Sequence, residues 1–491
     1  MKNRPSSFIG RNRELKQLRL GNWRSKAQLV CMYGRRRVGK TALIEEAYRQ
    51  GFSMFKFEGI EGVSQKRQLH HFLQTLKDYF PAAGKAAVDS INNWEEALRL
   101  LARQLKSKSI NAQKSAQKKV VFFDEFQWMA SDRSELVSLF KKVWDQEFSR
   151  LPECRFVLCG SVSSFMVRKV IRSKALYGRV DTEIRLEPFT LEEMSQFFKG
   201  RRDALEVLET ALTLGGIPQY LLELNPDLSL HLNLNELAFS PNGFLFHEFQ
   251  RLFVSHFGKN PIYEKIISTL ALQSLSADEL ATKLKTKTGG HFTSLLEDLE
   301  MAGFIERVVP LQKQSVRSKI ARFRIHDEYL HFYFRFIAPK KREIQNGNVQ
   351  FGSFRVQKTF EQWRGYAFER LCRKNSRMIA ETLGFAGIEY VAGSWFQAKN
   401  AVSAGTQVDL LFERSDRVLT LCEMKVKAPQ NPVALAKELK ARAEHVLSSY
   451  SKKMTVQQIL IVLEPLTQKQ LVKLKSCFEQ VFTASDLFHL K

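Results

Sequence analysis

Two glycines, a lysine and a threonine stand at fixed spacing in Gly34-Arg35-Arg36-Arg37-Val38-Gly39-Lys40-Thr41, directly after the apolar run Leu-Val-Cys-Met-Tyr at 29–33. This pattern suits a phosphate. Glycine permits backbone conformations that a Cβ obstructs, so such a loop can turn successive N–H groups inward around an anion. Lys40 then reaches the outer phosphates, and Thr41 offers its hydroxyl to Mg²⁺. Arg35, Arg36, Arg37, Val38 and Ala42 complete the positions expected to line the bound nucleotide. A second constellation, Val120-Val-Phe-Phe-Asp124-Glu125, ends an apolar run in two carboxylates. Asp124 is suited to hold Mg²⁺ through water, and Glu125 to orient or deprotonate an attacking water. Together the two motifs predict ATP binding with hydrolysis rather than nucleotide storage.

Two further residues extend this site. Ser161 follows the run Arg155–Cys159 and Gly160; it is either a sensor of the γ-phosphate or a turn serine. Arg179, in Ala-Leu-Tyr-Gly-Arg at 175–179, is either an arginine finger for transition-state charge or a structural surface arginine. A third constellation lies far along the chain. Glu423 and Lys425 are two apart in an apolar run and share a strand face, and a hairpin brings Asp409 to that face. Two carboxylates holding Mg²⁺ or Mn²⁺ beside a lysine that activates water are what phosphodiester cleavage needs. Glu369, on a preceding helix, can complete that metal shell. The plainer alternative is an ordinary Glu–Lys surface pair.

The elements that must position these groups can also be read. Apolar strands at 29–33, 120–123 and 155–159 alternate with helical stretches such as Thr41–Tyr48. That alternation implies a parallel sheet with crossover helices, whose strand ends carry the ligands. Residues 105–119 read as an exposed loop. Amphipathic helices at 262–272, 277–284 and 292–302, then Gly303 and a strand at 304–309, predict a winged helix-turn-helix with a wing at 311–322. The start of its recognition helix, Gly290–Ala302, has Lys285, Lys287, Thr288 and His291 nearby. Its acidic end, Leu-Leu-Glu-Asp-Leu-Glu, disfavours phosphate. The remainder reads as an αβββαβ-like unit: helix 360–374, strands 408–412 and 418–426, helix 433–447 and strand 458–463. The expected fold class is therefore α/β and multidomain. A P-loop domain spans 1–225, a connector 226–256, a winged helix 257–322, a second connector 323–360 and a small α/β nuclease-like domain 361–491.

Composition bounds the partners. Of 491 residues, 44% are hydrophobic and 26% charged, as in folded rather than disordered proteins. Lys and Arg number 76 against 51 Asp and Glu, a formal charge of +25. This points to a polyanionic partner, either nucleic acid such as DNA or an anionic membrane surface, against the alternative of a merely solvated basic surface. The six cysteines are scattered without a Cys-x-x-Cys pair, which argues against a structural zinc site and fits a reducing cytoplasm. No run of about 18 apolar residues occurs, so no membrane span is expected. A protein partner or a homo-oligomer is compatible with the sequence.

The ordered motifs FIGRNREL (8–15), GRRRVGKT (34–41), FFDEFQW (122–128), CGSVSSFM (159–166), LYGR (176–179) and GGIPQYL (215–221) resemble the archaeal-type P-loop ATPase family of the AAA+/STAND radiation. The resemblance covers nearly the whole chain. It implies an ATPase domain, a winged helix and a C-terminal nuclease-like domain. It also implies that the Phe8–Leu15 box lies near the adenine and that Gln127 sits beside the active site. The stretch NGFLFHEFQ (242–250) matches only loosely, which leaves the contact between ATPase and winged helix open. The spacing Glu369…Asp409…Glu423-x-Lys425 is similar to the PD-(D/E)xK nuclease superfamily. Two functions follow. One is an ATP-driven, DNA-directed protein; the other is a STAND-like regulatory ATPase whose C-terminal modules make protein contacts without cleavage.

Overall fold

A computed structural model describes residues 8–490 except 21–22, 24, 82–89, 107–117, 131–134, 258–259, 310, 312–320, 398–405 and 451–452. The chain divides into two compact bodies, Ser6–Pro188 with Glu297–Ala302, and Phe189–Leu296 with Gly303–Lys491. Most of the expected 105–119 loop and 311–322 wing lies outside the described residues.

The first body is built on a parallel five-stranded sheet. Its strands are β1 (Gln28–Tyr33), β2 (Phe52–Glu58), β3 (Lys118–Asp124), β4 (Cys154–Gly160) and β5 (Thr182–Arg185). Their order is β2-β3-β4-β1-β5. The three expected strands are the three central ones. They read as continuous apolar runs because crossover helices cover both faces of a parallel sheet. β2 and β5 lie at the edges and were not anticipated; β2 is only partly buried and β5 has four residues. Phe55, Phe57, Phe72, Phe123, Phe126, Phe140 and Phe156 form the buried aromatic centre, with Phe57 edge-on to Phe72 at a centroid distance of 5.0 Å. Such edge-to-face contacts add to the burial of apolar area. The helix after the phosphate loop runs Lys40–Ala47.

The second body begins with helices Leu191–Phe198 and Ala204–Leu214. The stretches read as connectors are folded. Residues 226–256 contain the helices Leu230–Ala238 and Phe244–Phe257, and 323–360 contains a strand and several short helical segments. Their order comes from aromatic packing: Phe249 stacks on Tyr333 at 4.5 Å, and Phe332, Phe336, Phe351 and Phe360 surround Trp363 and one another. The helices Pro261–Leu270, Ala277–Lys283 and Gly290–Met301 fall where expected. Ser276 and Glu279 form a reciprocal capping box that starts the second of them. The strands β6 (Ile305–Val308) and β7 (Arg322–Ile325) pair antiparallel, and Leu275 bridges to Phe323.

The C-terminal sheet has the order β12-β11-β10-β9-β8. Its strands are β8 (Tyr390–Gln397), β9 (Thr406–Arg414), β10 (Val418–Lys425), β11 (Thr455–Val462) and β12 (Gln480–Thr483). β8, β9 and β10 form an antiparallel meander; β10, β11 and β12 are parallel. The helix Lys358–Lys374 precedes the meander, and Pro432–Leu447 crosses from β10 to β11. Buried Arg364 ties this region to the start of the body: it bonds Glu209 on Ala204–Leu214 at 2.8 Å and Glu464 after β11 at 3.0 Å. Arg370 and Lys374 likewise hold buried Glu328 at 2.7 and 2.9 Å. No helix among the described residues is long and apolar enough to cross a membrane.

Candidate functional site

The phosphate loop leaves β1 at Gly34 and enters its helix at Lys40. Gly34 has φ 153°, and a Cβ there collides with the Leu186 carbonyl, so β5 presses the loop where only glycine fits. Gly39 and Arg37 take left-handed backbone, φ 90° and 75°. Lys40 is 6% exposed, and its Nζ donates to the Gly34 and Arg35 carbonyls at 2.9 and 3.1 Å. The ammonium therefore lies curled over the loop that an anion would enter. Arg36 reaches outward to Glu61 at 3.4 Å, while Arg35 is buried. The Phe8–Leu15 box meets the same loop: buried Arg11 donates to the Val38 carbonyl at 3.1 Å.

The acids arrive on β3. Thr41 donates its hydroxyl to Asp124 Oδ2 at 2.7 Å, and the Glu125 N–H donates to Oδ1 at 3.0 Å. Burial pushes the Asp124 carboxyl above its ordinary range, with Glu125 adding to the rise and the Thr41 bond opposing it. A hard cation favours such oxygen donors and relieves that burial cost, so Thr41 and Asp124 fit Mg²⁺. Glu58 was missed in the sequence. It lies opposite Asp124 in the register of β2 and β3 and is raised by burial and by Asp124.

β4 lies between β1 and β3 and delivers Ser161 between the loop and the acids. Ser161 is fully buried and turned toward Glu125: its hydroxyl donates to Glu125 Oε2 at 2.7 Å and its N–H at 3.2 Å. Gln127 Nε2 donates to the same Oε2 and also to Ser161 Oγ at 3.2 Å. Gln127 is thus beside the site, as the resemblance implied. A Cβ on Gly160 would strike Gln127 Oε1 and Met166, so glycine there admits the amide. Glu125 itself is left-handed, φ 48° and ψ 47°, a strained state typical of functional positions.

Arg179 does not point freely outward. It forks onto Asp145, Nε to Oδ1 at 2.6 Å and Nη2 to Oδ2 at 2.9 Å, and its bonds hold that carboxyl down to about 2. In this arrangement its guanidinium is paired with Asp145.

In the C-terminal sheet the predicted residues share one face. The register Leu421↔Leu411, Cys422↔Leu410 puts Glu423 opposite Asp409 one step further. Glu423 is held by Lys425 at 2.7 Å and by Arg442 at 3.2 Å. Arg442, on Pro432–Leu447, was not foreseen. Gln407 donates to Asp409 at 2.7 Å. Burial raises Glu369 to about 7; Asp409 and Glu423 add to the rise, while Arg373 and Lys425 oppose it. These groups are therefore electrostatic neighbours. Among the described residues, however, no three or more His, Cys, Asp or Glu side chains stand ready as a metal site. The expected shell of Glu369, Asp409 and Glu423 is thus not preassembled: two basic side chains already occupy Glu423.

Residues 8–224 match the family described as an ATPase domain predominantly from Archaea, and residues 333–442 a family of archaeal and bacterial proteins of unknown function. An uncharacterized protein of Methanocaldococcus jannaschii is 26% identical over 368 residues, 75% of this chain and 76% of that protein. Among solved structures, the Walker-type ATPase of Pyrococcus abyssi is 20% identical with a TM-score of 0.48, covering 68% of this chain and 98% of its own. The ORC2 protein of Aeropyrum pernix, solved as ADPNP–ADP complexes, is 16% identical with a TM-score of 0.45, covering 70% and 96%. The first family match places an archaeal-type ATPase domain in this chain, ending inside the second compact body.

Proposed function

We propose that this ATPase domain hydrolyses Mg²⁺-bound ATP with Glu125 preparing the water, and that its nucleotide state governs a DNA-directed C-terminal half. The observation that carries the reading is the meeting of Lys40, the Thr41–Asp124 pair and Glu125 at the ends of β1 and β3, the parallel strands on either side of β4. Mg²⁺ held there would supply neutralisation of phosphate charge. Lys40 exchanges two neutral carbonyls for phosphate, whose negative charge adds Coulomb attraction to the hydrogen bonds. Thr41 and Asp124 would hold the ion, and Glu125 accepts the proton of the attacking water. ATP hydrolysis measured with and without DNA tests the whole proposal: turnover that DNA leaves unchanged removes the coupling.

The DNA-directed part rests on the +25 charge and on three helices followed by an antiparallel strand pair, the order of a winged helix-turn-helix. DNA affinity is expected to fall by orders of magnitude between about 50 and 200 mM salt, as bound lysines and arginines release counterions. A salt series in fluorescence anisotropy reads this out; binding indifferent to salt assigns the basic surface to another partner.

The αβββαβ order and the shared face of Asp409, Glu423 and Lys425 support a nuclease-like domain of the PD-(D/E)xK kind, with Glu369 completing a shell for Mg²⁺ or Mn²⁺. Glu423→Ala is expected to abolish metal-dependent DNA cleavage, by about 10²-fold or more for a lost ligand, while ATP hydrolysis continues. Cleavage surviving the substitution places the nuclease elsewhere. One observation favours the second reading, a regulatory ATPase without cleavage: Lys425 and Arg442 already neutralise Glu423. Absence of cutting by the unmutated protein with either metal decides for it.

A further inference from the structure

The helix Lys358–Lys374 ends between two acidic sites. Glu369 and Arg373 are one turn apart and share a face of it. Glu369 is the electrostatic neighbour of Asp409 and Glu423. Arg370 and Lys374 form the adjoining face, which is fixed to the chain after β7. Lys374 donates to the His326 carbonyl, and both residues hold Glu328. In the strand pair itself, Glu306 stands opposite Arg324 and bonds Arg324 at 2.5 Å and His326 at 3.2 Å. Arg373 is settled at neither site. Its Nη1 lies 3.9 Å from Glu369 Oε2, too long for a hydrogen bond. Its Nε is buried without a partner among the described residues, and the side chain is only 16% exposed. Glu369, Asp409 and Glu306 all favour its charge, while burial and Arg324 oppose it. Arg370, three residues earlier, shows the contrast: two of its nitrogens bond Glu328, at 3.1 and 2.7 Å. A guanidinium has only donors to offer, and leaving them unpaired away from water is costly.

Resting on the nuclease-like reading, we propose that Arg373 is a displaceable counter-ion shared by two acidic sites: it stands by Glu369 in the arrangement described here and moves to Glu306 when a divalent cation takes Glu369. The guanidinium and the cation compete for one carboxylate, because like charges repel. Glu306 can receive the guanidinium, since a carboxylate accepts at more points than the two bonds it already makes. The strand pair β6–β7 and the C-terminal acids are thereby linked. Whatever steadies Arg373 on Glu306 favours the cation at Glu369, and the reverse holds equally. No covalent step is involved; one ion pair is exchanged for another. Arg373 acts here as a positioning residue for Glu369.

The probe is Mn²⁺ alone, titrated into the full chain without nucleotide and followed by the electron paramagnetic resonance of the free ion. The part of the binding that Glu423→Ala removes is counted as the C-terminal site. Arg373→Gln is expected to tighten that part by about tenfold, the scale of one charge removed from beside a carboxylate. Arg373→Lys keeps a mobile cation and is expected to bind Mn²⁺ as the unmutated chain does, which separates lost charge from lost packing. Tightening by itself follows from removing any nearby positive charge, so a double-mutant cycle decides. Glu306→Gln is expected to weaken Mn²⁺ about fivefold where Arg373 is present, the lower end of ordinary coupling between sites. In the Arg373→Gln background the same substitution is expected to do little. Equal effects of Glu306→Gln in both backgrounds, or no tightening in Arg373→Gln, overturn the shared counter-ion and leave the nuclease-like reading intact. Mn²⁺ binding that Glu423→Ala leaves untouched overturns that reading and the counter-ion with it.

Discussion

Lys40→Ala is expected to abolish ATP binding, lowering affinity by about 10³-fold, the scale of losing several charge-assisted bonds in a water-poor site. The structure gives the reason. Lys40 is a buried cation whose bonds run to two carbonyls of its own loop, Gly34 and Arg35, at 2.9 and 3.1 Å. It is held at the place where phosphate oxygens enter, so little side-chain ordering remains to be done on binding. Arg36 does not replace it, because Arg36 leans out to Glu61. Calorimetric titration with ATP and Mg²⁺ checks the result, with thermal unfolding showing that the variant is folded. Unchanged affinity in a folded variant ends the assignment of this loop.

Glu125→Gln is expected to leave ATP bound and slow its turnover by roughly 10²-fold or more, the usual contribution of a general base. Glutamine has the same shape and can keep the Ser161 contact, so the loop, Thr41 and Asp124 are undisturbed. What it lacks is basicity. Single-turnover hydrolysis separates this from a binding defect. A variant that hydrolyses at the unmutated rate shows that another group prepares the water, and Glu58, aligned with Asp124 in the neighbouring strand, is then the first to test.

The geometry of the candidate nucleotide site was largely legible because its parts are contiguous in sequence. A strand, a glycine loop and a helix follow one another within residues 28–47, and Asp124 and Glu125 close an unbroken apolar run. Positions that depend on pairing between distant segments were not. Glu58 gains its meaning only from lying beside Asp124, and Arg442 only from a helix that crosses back over the sheet to Glu423. Asp409 and Glu423 were within reach, because a strand–turn–strand fixes which residues face each other. The strand β8 was overlooked because Gly393 and a register shift before Trp395 interrupt its alternation. The region after 323 hid its helices for the opposite reason. Tyr333–Ile337 is aromatic and apolar on nearly every side, so no polar face marks a helical period. Tyr333, Phe336 and Ile337 are all buried there.

The Arg364 contacts bear on where this chain can be cut. The homology region of the ATPase ends at residue 224, which invites expression of that segment by itself. Yet Ala204–Leu214 belongs to the second compact body, and its Glu209 is paired with Arg364, 155 positions downstream. A fragment ending near 225 keeps Leu208, Leu212 and Leu214, now fully or almost fully buried, without much of the protein that covers them. It is expected to aggregate. The compact body, Ser6–Pro188 with Glu297–Ala302, and the homologous segment, residues 8–224, are therefore different stretches of polypeptide.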